Sequence, residues 1–507
     1  MRYHLLTGAT GLLGSYFLKD AAALRIPLAV VVRRSRAESA RQRIETVLAR
    51  WEQLIQAHLP RPVILEGNLN APNLGLSAEQ VAWVAENCSA VIHNAASLNF
   101  TAKDLESEPY LSNVQGTKNV LDLCRTTGIR TFHHVSTAYI CGLRQGTVYE
   151  TERNVGQPPG NDYEASKIQA EEMVASAEFL DHKTFLRPGI IIGDSVTGYT
   201  STFHGFYVPL KICHGLMNIA QGFPSLAADG ILHWFNLTGD ETKNFVPVDW
   251  VSAVSMRVIA NPAYYDRTYH LTPSHSTRVA DMAMAIGNTF FHSESEEAEP
   301  AEPSGSSSSL FRQTFLNQMQ VYESYWRDDP VFDRTNTLAI TPDLPCPEVD
   351  QEMLAVMCRY AVESNFGWPV EPSRIPALDT SRAAEKLRAI PPANQSAVTS
   401  IGLVVTGPGG GDWRLDTVNG KIISIHEGLS VKCREILRLN SQTLKELMDG
   451  ECTFQQALQR GQVVVEAPQA DTSLPLEELM LDYVRLLSKQ AARESDRPVN
   501  PAKSAAQ

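Results

Sequence analysis

The run Tyr3-His4-Leu5-Leu6-Thr7-Gly8-Ala9-Thr10-Gly11-Leu12-Leu13-Gly14 decides the fold. Its apolar first half predicts a buried strand, the glycines follow at once, and Leu12, Leu13, Tyr16 and Phe17 open a helical spacing. Strand, glycine turn and helix in that order present a helix N-terminus and bare backbone N–H groups to a pyrophosphate. The G-x-x-G-x-x-G spacing differs by one residue from the G-x-G-x-x-G of ordinary dinucleotide-binding dehydrogenases. A helix-capping turn would use the same three glycines, so the neighbouring stretches must separate the two.

Downstream, Pro27 to Val32 predicts a second buried strand that ends in Arg33-Arg34, with Arg36 close behind. An acidic residue at this strand end would bind the ribose hydroxyl of NAD, whereas arginine suits the 2′-phosphate of NADPH. A solvated basic cluster is the bland alternative. A polar helix over about 37–57 leads to a third strand at Pro62–Glu66, then Gly67-Asn68-Leu69, with Ser77 as cap of the next helix. Ala90-Val91-Ile92-His93-Asn94-Ala95-Ala96 predicts a fourth strand running into small residues that let backbone approach a cofactor. A helix over 113–124 and a fifth strand at Thr131–Val135 follow. This alternation predicts an α/β, Rossmann-like, doubly wound parallel sheet. His133 and His134 are adjacent on a strand and point to opposite faces, so they are structural rather than metal ligands, and no metal site is expected.

The fifth strand runs into Ser136-Thr137-Ala138-Tyr139, and Tyr163-Glu164-Ala165-Ser166-Lys167 opens a later helix. Residues at i and i+4 share a helix face, so Tyr163 and Lys167 project together. Ligands of open α/β sheets sit beyond the carboxyl ends of the strands, where these side chains converge. The set of Gly8, Gly11, Gly14, Ser136-Thr137, Tyr163 and Lys167 resembles the extended short-chain dehydrogenases/reductases. It is similar in particular to their thioester-reductase branch, which includes fatty acyl-CoA reductases and the reductase domains of carboxylic acid reductases and peptide synthetases. Further motifs of that branch are Leu74-Gly75-Leu76-Ser77, Asn99-Phe100, Leu186-Arg187-Pro188-Gly189, Ile192-Gly193-Asp194 and Phe245-Val246-Pro247-Val248-Asp249.

The resemblance implies a catalytic set of Thr137, Tyr163 and Lys167. Tyr163 would protonate the carbonyl oxygen, Thr137 would hydrogen-bond it, and Lys167 would lower the tyrosine pKa and hold the nicotinamide ribose. It also implies cofactor contacts from Gly8, Thr10, Gly11, Leu12, Leu13, Gly14, Arg33, Arg34, Asn68, Leu69, Asn94, Ala95, Ala96, Tyr163, Lys167 and Pro188. The family usually has Asp where Asn68 stands; Asn keeps an acceptor oxygen for the adenine. The implied activity is NADPH-dependent reduction of a fatty acyl thioester, on coenzyme A or acyl-carrier protein, to aldehyde or alcohol. The same fold also serves sterol-like and nucleotide-sugar substrates, and a cofactor-sensing or lipid-carrying scaffold would be the non-catalytic alternative.

Composition bounds the rest. At 507 residues, 43% apolar and 20% charged, the chain has room for two or three domains. A net charge of −13 argues against nucleic-acid binding. Eight scattered cysteines without a C-x-x-C pair predict reduced thiols. The first strand leaves no room for a leader, and apolar runs such as Leu28–Val32 fall far short of the roughly 20 residues of a membrane span. A cytoplasmic protein without a transmembrane segment is expected. The reductase domain is expected over 1–370, with a substrate lobe at 189–370 whose Phe203, Phe206, Val208, Leu210, Ile212, Leu216, Met217 and Ile219 suit either an acyl chain or plain core packing. The acidic, serine-rich stretch 292–309 predicts a flexible insertion, and a linker is expected at 371–399. An α+β domain at 400–490 is similar to the sterol carrier protein type two fold, which implies a lipid ligand; a structural or dimerising module has the same pattern. It includes an amphipathic helix through Leu476, Leu479, Met480, Tyr483, Leu486 and Leu487, and 491–507 is a polar tail.

Overall fold

Near-continuous runs of aliphatic residues bury on both faces of a central seven-stranded sheet. Its strands are β1 (Tyr3–Thr7), β2 (Leu28–Val32), β3 (Val63–Glu66), β4 (Cys88–His93), β5 (Thr131–Val135), β6 (His182–Pro188) and β7 (Thr268–Leu271), in the spatial order β3-β2-β1-β4-β5-β6-β7. The pairings of β1 with β2 and β4, β4 with β5, β5 with β6, and β6 with β7 are all parallel. Leu5, Leu6, Ala29, Val30, Val91, Ile92 and Phe132 form its buried spine. The winding reverses at β1, the switch point where ligands of such sheets bind. The computed structural model describes residues 2–35, 38–55, 59–219, 237–290, 319–368, 398–406, 411–418, 421–428, 435–460 and 462–466, and residues 232, 313, 316 and 433.

The helices that follow the strands are α1 (Leu12–Ala23), α2 (Ala40–Ile55), α3 (Ala78–Asn87), α4 (Gly116–Thr127) and α5 (Asp162–Ala175). Ser77 caps α3 as its sequence predicts: Gln80 N donates to the Ser77 hydroxyl at 3.2 Å, and Ser77 N donates to Gln80 Oε1 at 3.0 Å. Two elements go beyond the sequence reading. The helix predicted from Asn113 begins with a π-helical turn, Leu111–Gln115, before α4. The strands β6 and β7 carry Lys183, Arg187 and His270, which interrupt the apolar runs and hide them from a hydropathy reading.

By its contacts the chain divides into two compact units, Met1–Arg34 with Ile64–Pro372, and Ser35–Val63 with Ser373–Gln507. In the first, Phe206, Leu210 and Ile212 pack with Met357, Cys358 and Phe366 in a closed apolar cluster. For these three side chains core packing, not an open acyl-chain lining, is what the structure shows.

In the second unit, β8 (Thr399–Thr406), β9 (Gly411–Val418), β10 (Lys421–Glu427), β11 (Glu435–Asn440) and β12 (Val463–Glu466) form a sheet in the order β10-β9-β8-β11-β12. Only the β8–β11 register among these pairs is parallel. One face carries Leu403, Trp413, Leu415 and Leu437 into a core with Leu444 and Phe454 from two short helices. The helix α2 falls in this unit, where Arg41 donates to the Val405 carbonyl at 3.0 Å and meets Asp412 at 3.3 Å. The insertion at 292–309, the linker except its last two residues, the glycine loop at 407–410, the helix through 476–487 and the tail at 491–507 lie outside the described residues. No helix among the described residues is long and apolar enough to cross a membrane.

Candidate active site

The carboxyl ends of β1, β4, β5 and β6, neighbours in the sheet, bring Gly8, Asn94–Ala96, Ser136–Thr137 and Pro188 to one edge. The glycine turn is built by close approach. Gly8 has φ of +77°, and a Cβ there would lie 2.7 Å from Ala95 N. A Cβ on Gly14 would lie 2.0 Å from the Gly8 carbonyl oxygen, so α1 starts hard against the turn. Gly11 N donates to Gly8 O at 3.1 Å, and Asn94 Nδ2 donates to the same carbonyl at 3.2 Å. Leu12 and Leu13 are buried in the first turn of α1.

A buried imidazole locks this edge. Thr7 donates to His93 Nδ1 at 2.8 Å and accepts from Ala95 N at 3.2 Å. Thr117 spends its proton on the Asn113 carbonyl at 2.6 Å, so it accepts from His93 Nε2–H at 2.9 Å. Burial, helped by the charge of Lys167, pushes His93 down to about 3, and the ring is neutral. His133 and His134 are buried as well.

The predicted catalytic residues converge. The Thr137 side chain favours ionisation of the Tyr163 phenol. Thr137 also accepts from Tyr139 N at 3.2 Å and makes a long contact to the Pro188 carbonyl at 3.5 Å. Tyr163 is half-buried; desolvation pushes it up to about 12, against the Thr137 side chain and with the charge of Glu164. Lys167 lies on the same helix and is buried, and its ammonium donates to the Val135 carbonyl at 2.8 Å. Burial lowers it to about 8, opposed by Glu171.

The outer cofactor candidates lie along β2 and β3. Arg33 and Arg34 are exposed just beyond β2, with Arg34 Nε 3.6 Å from Glu66. Asn68 is exposed after β3, and its Oδ1 accepts from Asn70 N at 3.2 Å. Asn119 Nδ2 donates to the Leu69 carbonyl at 2.7 Å.

Two features escaped the sequence. Asn113, in the π-helical turn, donates to the Ser97 carbonyl at 3.0 Å and the Ser166 hydroxyl at 2.9 Å, and accepts from Ser97 N at 2.7 Å. Ser166 in turn donates to the Tyr163 carbonyl at 2.7 Å, so Asn113 ties the first turn of α5 to the loop after β4. The second is an aromatic wall. Phe100 meets the Tyr163 ring edge-on at 5.8 Å, and Tyr322 and Tyr325 pack on Phe100 at 5.1 and 5.6 Å. No local pattern marks either feature, because each depends on partners far away in the chain.

Comparison with known proteins agrees with this geometry. Residues 6–255 match the family described as Male sterility protein, an NAD-binding domain. The solved terminal R domain from the myxalamid PKS-NRPS biosynthetic pathway is similar, with 26% identity and a TM-score of 0.55, over 72% of this chain and 92% of that one. A linear gramicidin synthase of Brevibacillus parabrevis is 26% identical over 70% of this chain and 7% of its own length. A fatty acyl-CoA reductase of Drosophila melanogaster is 27% identical over 48% of this chain and 51% of its own. The chain thus spans about half or less of these two curated relatives. Over the matched residues it resembles the thioester-reductase-like branch of the short-chain dehydrogenases/reductases.

The glycine cradle fits a nicotinamide dinucleotide: the two positions where a Cβ would strike backbone leave the turn bare beside the first helix N-terminus.

Proposed function

We propose that the protein reduces a fatty acyl thioester, carried on coenzyme A or an acyl-carrier protein, with NADPH as reductant. The convergence of Thr137, Tyr163 and Lys167 at the strand ends beside the glycine turn carries the proposal. When bound, the nicotinamide supplies the hydride. The residues of the chain supply the remainder. Thr137 hydrogen-bonds the carbonyl oxygen, and Tyr163 gives it a proton as charge develops there. The resulting hemithioacetal collapses to aldehyde and free thiol, and a second round would give the alcohol. Gly8, Gly11 and Gly14 would cradle the pyrophosphate, Asn68 and Leu69 would face the adenine, and Lys167 would hold the ribose. Arg33 and Arg34 would read the 2′-phosphate. The thioester is favoured by the relatives, among them a gramicidin synthase and a fatty acyl-CoA reductase.

The test offers the purified protein NADPH with long-chain acyl-CoA or acyl-carrier protein, a UDP-sugar, and a hydroxysteroid with NADP, following cofactor absorbance. Turnover of acyl thioester is expected, and Tyr163→Phe should lower it by about 10²–10⁴-fold without weakening NADPH binding. Turnover confined to steroid or sugar would overturn the substrate class. Arg33→Ala should weaken NADPH and spare NADH; equal effects would remove the 2′-phosphate contact. The lipid ligand that the sterol-carrier likeness implies for the second unit belongs to the same proposal. Native mass spectrometry of the full chain should show a co-purifying lipid, and a ligand-free chain would remove it.

A further inference from the structure

We propose that the amino ends of β6 and β7 hold a binding site for a phosphoryl oxyanion, built by Arg153, Lys183 and Arg267 around a hollow at the edge of the sheet opposite the glycine turn. The site lies outside the catalytic set, so it does not depend on which substrate is reduced.

The strands are parallel, so their carboxyl ends share one edge of the sheet and their amino ends the other. The glycine turn and Thr137 follow carboxyl ends. Lys183 is the second residue of β6, and Asp266 and Arg267 directly precede β7. With Phe185 and Arg153 they line a hollow of about 250 Å³. At about 30 Å³ per water displaced, that is room for a phosphoryl group and a fragment attached to it.

Three cations and one acid stand on its wall, in a chain whose net charge is −13. The acid is already engaged: Asp266 Oδ1 accepts from Lys183 N at 2.9 Å, and Oδ2 lies 2.7 Å from His182 Nδ1. A surplus of positive charge is left around the hollow.

Arg153 is the informative member. Its Nε is buried and makes no hydrogen bond, which is costly for a charged donor. Glu171 Oε1 lies 3.4 Å from that nitrogen, but this carboxylate is committed to the fully buried Arg187. There Oε1 accepts from Nη2 at 2.5 Å and Oε2 from Nε at 3.2 Å. The Phe185 ring, its centroid 5.0 Å from the Arg153 guanidinium, supports the planar fork by a cation–π contact. Lys183 Nζ donates to the Ala175 carbonyl at 2.9 Å and the Ala177 carbonyl at 3.4 Å, which leaves one of its three N–H groups unspent. Arg267 is exposed, and its guanidinium makes no hydrogen bond or ion pair among the described residues.

Guanidinium forks and an ammonium are the donors that take phosphate by charge-assisted hydrogen bonds. An oxyanion in the hollow offsets the surplus charge and offers Arg153 the acceptors that Glu171, committed to Arg187, does not. The phosphoryl group arrives either as free phosphate or as part of a phosphate monoester.

Titration calorimetry of the full chain in phosphate-free buffer, with inorganic phosphate and with phenyl phosphate as probes, tests the site. Saturable binding is expected, weakened about tenfold in Arg267→Ala and further in the double variant Arg153→Gln/Arg267→Ala. Arg267 is exposed, so its single variant keeps the test informative if the double variant fails to fold, as judged by thermal melts. Phosphate held at the glycine turn is insensitive to these substitutions, so a loss seen in the variants reports the hollow. Tighter binding of phenyl phosphate than of inorganic phosphate would assign a monoester, and equal or weaker binding would assign free phosphate. No binding to the unaltered chain, or binding unchanged in the folded variants, would overturn the proposal.

Discussion

Lys167 is a buried ammonium anchored to the Val135 carbonyl at 2.8 Å. Its place one helical turn after Tyr163 follows from spacing alone, but its anchor does not, because Val135 belongs to a different element. Nor does spacing show that Glu171, one further turn along, forms a buried pair with Arg187 at 2.5 Å. Burial brings Lys167 from its ordinary 10.5 down to about 8. As pH rises from about 8 to 10.5, the native chain has released this proton while the unfolded chain still holds it, so this residue makes stability rise across that window. Lys167→Met should flatten the rise, as read from urea midpoints at pH values on either side of the window. A rise that survives the substitution belongs to other groups.

The strand β5 shows what one element can hide. Its alternation puts His133 and His134 on opposite faces, as sequence predicts, and the sheet buries both, with no hydrogen-bond partner for any of their four ring nitrogens. Burial pushes His133 down to about 3, with smaller contributions from His4 and His182. Its native value lies below its unfolded 6.5, so the stability it contributes is present above 6.5 and lost as pH falls toward 3. His93 and His270 behave alike. Acid unfolding should therefore begin below about 6.5. Replacing His133 with Leu should raise stability at neutral pH by about 1 kcal/mol and make the acid limb shallower, measured by thermal melts between neutral pH and pH 4. A destabilised, equally acid-sensitive variant would mean that the ring is held by more than its packing.

At the scale of the molecule, contacts divide the chain at Pro372–Ser373, close to where its composition changes, and also on either side of 35–63. A composition break after about 370 predicts an independent C-terminal domain, yet α2, which falls between β2 and β3 in sequence, belongs by its contacts to the second unit. Arg41 and the buried Glu45–Arg61 pair, with N–O at 2.9 Å, are part of that unit. Ending the chain after Pro372 would remove the Val405 and Asp412 partners of Arg41. The shortened protein should melt several degrees lower than the full chain, by calorimetry; one that melts unchanged would show that residues 35–63 need no C-terminal partner.

By itself the sequence determined the glycine turn, the doubly wound sheet, and the placement of Thr137, Tyr163 and Lys167. Each of these is written in local periodicity: period two in strands, i and i+4 on a helix, glycine where backbone must touch backbone. Only the tertiary structure decided that Asn113 braces the first turn of α5, that Phe100, Tyr322 and Tyr325 gather beside Tyr163, and that Glu164 is buried with Gly160 N on its carboxylate. These depend on desolvation and on partners tens to hundreds of residues away, which no short window of sequence contains.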